Sequence, residues 1–160
     1  MYDDHQHLEL FNGTGRHLFR GTLPSSAFAT AYRGPGVTPT SVDPVVATLF
    51  ACRYLTEGPA VVLLALKSDF IGLLDGPNLA SFSYEYAVNI ELPPYEFAKR
   101  CEFAVPVNDS VAVLNSLGYR LPSKLSDLGA LTQALLQSPR MLMEDIDRYV
   151  ERCQQLLQGG

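Results

Sequence analysis

The chain has 160 residues, 47% of them apolar and 18% charged, with a net charge of −5. That length suits a single domain, residues 1 to 160, with a sizeable core, and the composition excludes a disordered chain. No apolar run approaches the ~20 residues of a membrane span, and the negative balance offers no electrostatic footprint for nucleic acid, which ranks below a protein or a small molecule as partner.

The segment Met1 to His7 is polar and acidic, without the basic and apolar regions of a secretory leader. His5 and His7 alternate, but no further ligand follows at a useful spacing, so no metal site is expected. Cys52, Cys101 and Cys153 are scattered and odd in number, which reads as reduced thiols, not a disulfide framework. Both features point to a cytoplasmic setting, in the producing cell or in a host cell after injection.

His17 to Thr22 reads as a short strand with Leu18 and Arg20 on one face and Phe19 and Gly21 on the other. Leu23-Pro24-Ser25-Ser26 is expected to open a short helix through Tyr32, with Ser25 or Ser26 as its cap, stopped by Arg33-Gly34-Pro35-Gly36. Val37 to Ser41 is the next strand, with Pro39 marking an edge or an end. Asp43-Pro44 then starts a helix, the aspartate as cap and the proline at the first helical position. Ala60 to Leu66 is the most apolar run and reads as a central strand buried on both faces. Ser68 to Phe82 reads as a loop with one helical turn. Tyr84 to Leu92 is a strand with Glu85, Ala87, Asn89 and Glu91 on one face, broken by Pro93-Pro94. Cys101 to Val107 follows as a strand. Asn108-Asp109 is a possible cap for a helix that ends at Gly118. Two amphipathic helices close the chain, one through Leu125, Leu128, Leu131 and Leu135, the other from Met141 to Leu157 after Pro139.

Three polar-centred segments stand out: Arg20-Gly21-Thr22, Thr40-Ser41 and Glu85. A guanidinium suits phosphate, and hydroxyls hold side chains or ligand groups in place. A carboxylate beside a sugar ring can bind a hydroxyl or stabilise an oxocarbenium ion. Together they suit cleavage of a glycosidic bond in a molecule that also carries phosphates, of which NAD is the common example. No glycine motif of the Rossmann or P-loop type is present, so the phosphates need another cradle.

At these residues the chain resembles the ADP-ribosyltransferase family of the arginine–serine–glutamate type found among bacterial toxins and effectors. Leu18-Phe19-Arg20-Gly21-Thr22 resembles its first-strand motif. Thr40-Ser41-Val42-Asp43-Pro44-Val45-Val46-Ala47-Thr48-Leu49-Phe50-Ala51 resembles its hydroxyl signature, and Glu85-Tyr86-Ala87-Val88 its glutamate strand. The resemblance spans residues 17 to 107, and residues 109 to 157 form a C-terminal helical part outside it. It implies an α+β fold with a split pair of small β-sheets around an NAD cleft. It also implies a mono-ADP-ribosyltransferase that takes NAD as substrate and uses no metal. Glu85 would bind the 2′-hydroxyl of the nicotinamide ribose, the Gly21 backbone would hold the carboxamide, and Arg20 would contact ribose or phosphate. Thr22 belongs to the same NAD-binding motif, and Ser41 with Thr40 would brace the glutamate and the ribose. Ser83 stands where arginine-modifying members carry a second glutamate, which implies a target other than arginine.

Other readings remain open on these residues. Glu91 shares a strand face with Glu85 and is the rival carboxylate. Thr40-Ser41 also serves as a strand end and helix cap. Water in place of a macromolecule would make the chain an NAD glycohydrolase. Pro39, in place of the signature's first serine, keeps open a binding module on the same fold with lost catalysis. The C-terminal helices are expected to offer a partner or target surface, so that removing residues 123 to 160 would spare NAD cleavage.

Overall fold

A computed structural model of the chain describes residues 16–24, 38–53, 58–73, 87–121, 125 and 127–159. The expected helix of residues 25–32, the turn at 33–36, Ser83 and Glu85 lie outside the described residues, as do His5 and His7. The described strands are β1 (His17–Thr22), β2 (Thr38–Ser41), β3 (Val61–Leu66), β4 (Ala87–Ile90) and β5 (Phe103–Pro106). The helices are α1 (Pro44–Arg53), α2 (Pro94–Lys99), α3 (Val107–Ser116), α4 (Leu128–Gln137) and α5 (Met143–Gly159), with a 3-10 segment over Lys67–Leu73.

The five strands form one antiparallel sheet in the order β4-β2-β1-β3-β5. The α+β class therefore holds, but the split pair of sheets does not. β1 pairs on both sides, with β3 along its whole length and with β2 through Phe19 opposite Ser41, so the two halves stay continuous. The most apolar strand, β3, lies inside the sheet between β1 and β5 and is buried on both faces, as expected. The middle place belongs to β1, whose Leu18 and Phe19 are both fully buried.

The strand pleat sorts the core into two clusters. Phe19, Val62, Leu64 and Val105 face α1, α3, α4 and α5, while Leu18, Leu63, Ala65 and Ile90 pack with Phe70 of the 3-10 segment and Phe97 of α2. Phe70 and Phe97 hold ring centroids 5.1 Å apart. α1 is buried from Pro44 to Leu49 and again at Ala51 and Cys52, because it lies between the sheet and the other helices. A helix enclosed on most sides needs no polar face. Gly21 lets it approach: a Cβ there would stand 1.8 Å from the Ala47 carbonyl oxygen.

Two local readings change. Pro93-Pro94 does not only end a strand but opens α2, with Pro94 in the first turn and the Phe97 N–H donating to the Pro93 carbonyl at 3.1 Å. Proline is suited to that position because its fixed φ is helical and its missing N–H would have no partner there. α3 begins at Val107, directly from β5, without a side-chain cap from Asn108 or Asp109. Its expected end is present, where Gly118 adopts φ +95°.

The C-terminal helices are part of the core. Ile146, Tyr149, Val150 and Cys153 form the buried stripe of α5, and Leu131 and Leu135 that of α4. The Tyr149 ring meets Phe19 edge-on at 5.7 Å. Its hydroxyl is 2.6 Å from Ser110 Oγ, which lies 2.7 Å from Thr48 Oγ1, and Thr48 donates to the Pro44 carbonyl. This fully buried chain of hydroxyls joins α5, α3 and α1, and satisfies every member. The three thiols are free. Burial pushes those of Cys52 and Cys153 up to about 11 and that of Cys101 up to about 12, which makes them poor nucleophiles at neutral pH.

His17, at the start of β1, sits 3.4 Å from Glu102 by its Nε2, and its Nδ1 is buried without a hydrogen-bond partner. Burial lowers its pKa from 6.5, outweighing the charges of Glu102 and Asp147. Between 6.5 and that lowered value the unfolded chain binds the proton more tightly, so stability declines as pH falls through this window. Urea midpoints of the wild type and His17→Gln, taken at pH 7.5 and 5.5, check this. The expected result is a smaller loss on acidification in the variant, and equal losses would remove His17 as the cause.

Candidate functional site

β1 and β2 meet at the pair of Phe19 and Ser41, and Arg20, Gly21, Thr22, Thr40 and Ser41 lie on the two strands of this seam. The pleat places Leu18, Arg20 and Thr22 on one face of β1. Ser41 lies opposite Phe19 and therefore shares the other face, whereas Thr40, one residue earlier, returns to the face of Arg20. Arg20, Thr22 and Thr40 thus share one face, and Gly21 and Ser41 are turned toward α1.

Arg20 is half-buried, and its Nη1 donates to the Pro39 carbonyl at 3.0 Å, so the guanidinium spans the seam. Its charge also acts on Cys101, opposing the burial that raises that thiol. Thr22 is buried and donates to the Leu23 carbonyl at 3.4 Å, and Thr40 is buried as well. On the neighbouring rung Thr38 donates to the Leu92 carbonyl at 2.7 Å.

On the far face Ser41 Oγ accepts the Asp43 N–H at 3.0 Å. Asp43 in turn caps α1: its Oδ1 accepts from the Val45 N–H at 2.8 Å. The second oxygen accepts from the Met141 N–H at 3.1 Å, 98 residues away in the chain. Asp43 is only 2% exposed. Burial moves its pKa above the ordinary carboxylate value, against the N–H groups of Met141 and Val45 and the charge of Arg140, all of which favour the ionised form. The Met141 bond could not be read from sequence, because nothing local to Asp43-Pro44 announces a partner in the C-terminal part.

Of the two rival glutamates, Glu91 follows the end of β4, is exposed, and gives its backbone N–H to the Leu73 carbonyl at 2.6 Å. Glu85 lies outside the described residues. In the chain it stands two residues before Ala87, which pairs with Ser41.

A surface groove of about 640 Å³ lies elsewhere, between α3 and α5, lined by Ala112, Val113, Ser116, Arg152 and Leu156 among others. Among the described residues its lining includes no carboxylate, and its serine hydroxyl donates to the Val113 carbonyl and accepts from Arg152. Among the described residues no three His, Cys, Asp or Glu side chains gather closely enough to hold a metal ion, and no helix is long and apolar enough to cross a membrane. No protein-family model, curated protein or solved structure matches the chain.

Proposed function

We propose that this chain is a mono-ADP-ribosyltransferase that cleaves NAD at the nicotinamide glycosidic bond and passes ADP-ribose to a macromolecular target, a protein other than at arginine. The observation that supports the reading is the face shared by Arg20, Thr22 and Thr40 at the β1–β2 seam, with β4 running beside β2 two residues after Glu85 in the chain. Arg20 is the anion-binding group, and Glu85 is the carboxylate that accepts a hydrogen bond from the ribose 2′-hydroxyl. As the C1′–N bond breaks, its electron pair neutralises the nicotinamide ring nitrogen. The carboxylate offsets the positive charge that develops on the ribose, and a nucleophile of the target attacks C1′. NAD is the substrate, and no metal is required.

The engagement of Ser41 Oγ with the Asp43 N–H favours one other reading, a binding module in which this hydroxyl serves the fold alone. Nicotinamide release from NAD decides between the two. Glu85→Gln keeps the shape and removes the charge, and is expected to lower release about 100-fold or more, while Glu91→Gln leaves it near the wild-type rate. Release that depends on added cell lysate identifies a transferase, and release without lysate an NAD glycohydrolase. Neither release nor NAD binding by the wild-type chain would leave the binding module.

A further inference from the structure

Among the described residues β2 pairs with β1 through Ser41 and Phe19, whereas β1 and β3 share six pairs. On its other side β2 is laddered along its whole length to β4, the edge strand, and bonds outside the ladders also bear on where Thr40 and Ser41 stand relative to Arg20. Near the start of β2, one such bond runs from Arg20 to the Pro39 carbonyl and another from Thr38 to the Leu92 carbonyl. At the other end stands Asp43. Its N–H binds Ser41 Oγ, one carboxylate oxygen caps α1 at Val45, and the second receives the Met141 N–H from the turn between α4 and α5. That turn is itself well fixed. Met141 is in the main core, and Arg140 folds back to donate to the carbonyls of Leu135 and Ser138.

We infer that Asp43 is a positioning residue, whose carboxylate, shared between the amides of Val45 and Met141, ties β2 to the α4–α5 turn and so sets the hydroxyl pair against Arg20. The catalytic consequence rests on the proposed reading of the site, and the mechanical one does not. A carboxylate that accepts two backbone N–H groups in a buried place is a strong tie, because both bonds are charge-assisted and no water competes.

The full-length Asp43→Ser variant tests this, because a serine still caps Val45 but cannot reach Met141. Amide hydrogen exchange at Thr40 and Ser41 is expected to quicken about ten-fold more than at Val62 to Leu64 of β3, the scale of one lost charged hydrogen bond. Val113→Ala, a core variant away from the clamp, is expected to affect both strands alike. Asp43→Asn, which sets an amide group against the Met141 N–H, should repeat the local effect. Equal acceleration of β2 and β3 in the Asp43 variants overturns the inference, as does failure of both to fold. In nicotinamide release Asp43→Ser is expected to lower kcat about ten-fold with little change in KM for NAD, and an unchanged kcat also overturns it. A wild-type chain that releases no nicotinamide sinks the proposed function and leaves the exchange result to decide on Asp43.

Discussion

Gly21→Ala is expected to destabilise the protein by about 4 kcal/mol or more, at the upper end of single substitutions. The added Cβ would stand 1.8 Å from the Ala47 carbonyl oxygen and 2.6 Å from the Ala51 nitrogen. Both are backbone atoms of α1, so no rotamer change relieves the clash, and strand and helix must separate. Separation opens the main core, where Phe19, Ala47, Ala51 and Leu64 meet, and close-packed interiors do not absorb such a shift cheaply. It also pulls on Ser41 and Asp43 at the N-terminal end of α1. The measurement is the urea midpoint of the variant beside Thr22→Ala on the same strand. A loss below about 1 kcal/mol for Gly21→Ala, the cost of an ordinary mutation, would mean that β1 and α1 do not touch at this glycine. Gly21 is also a proposed NAD contact, so lost activity in this variant says nothing about catalysis until its fold has been checked.

Removal of α5, by ending the chain after Pro139, is expected to leave no cooperatively folded protein. Tyr149 and Cys153 are fully buried, and Ile146 and Val150 nearly so. Each large apolar side chain withdrawn from a core costs about 2–5 kcal/mol. Loss of these side chains together therefore matches the whole stability of a typical domain, about 5–15 kcal/mol. The deletion also strips Ser110 of the Tyr149 hydroxyl and removes the Met141 partner of Asp43. Soluble yield and the thermal melt of the truncated chain measure the effect. A truncated chain that melts as sharply as the full one would place α5 outside the core. The burial of α4 and α5 in the core therefore speaks against the expectation that a chain without residues 123 to 160 keeps NAD cleavage. An amphipathic helix shows in sequence that one face is covered, not whether the cover belongs to the same chain.

The Gly21 and α5 changes act on the fold itself, the His17 comparison on its pH dependence, and the Glu85 and Asp43 variants on the proposed chemistry and its support. Stability measurements therefore come before the kinetic ones.

By itself the sequence determined most local structure. Alternation in His17 to Thr22 set Leu18 and Phe19 on opposite faces, and they occupy different core clusters. Asp43-Pro44 started α1 with the expected cap, and Gly118 ended α3, because these are contests among neighbouring groups along the chain. The sequence also singled out Arg20, Gly21, Thr22, Thr40 and Ser41 as one polar constellation. Tertiary structure decided which of them share a face across the two strands. Alternation already set Arg20 and Gly21 on opposite faces, and strand pairing brought Thr40 to the face of Arg20 and Ser41 to that of Gly21. Pairing also made β1 the central strand and joined five strands into one sheet where two were expected. These outcomes depend on partners many residues away, as the bond between Asp43 and Met141 does. A period of two along a strand states which residues share a face, but not which strand lies beside it or what covers that face.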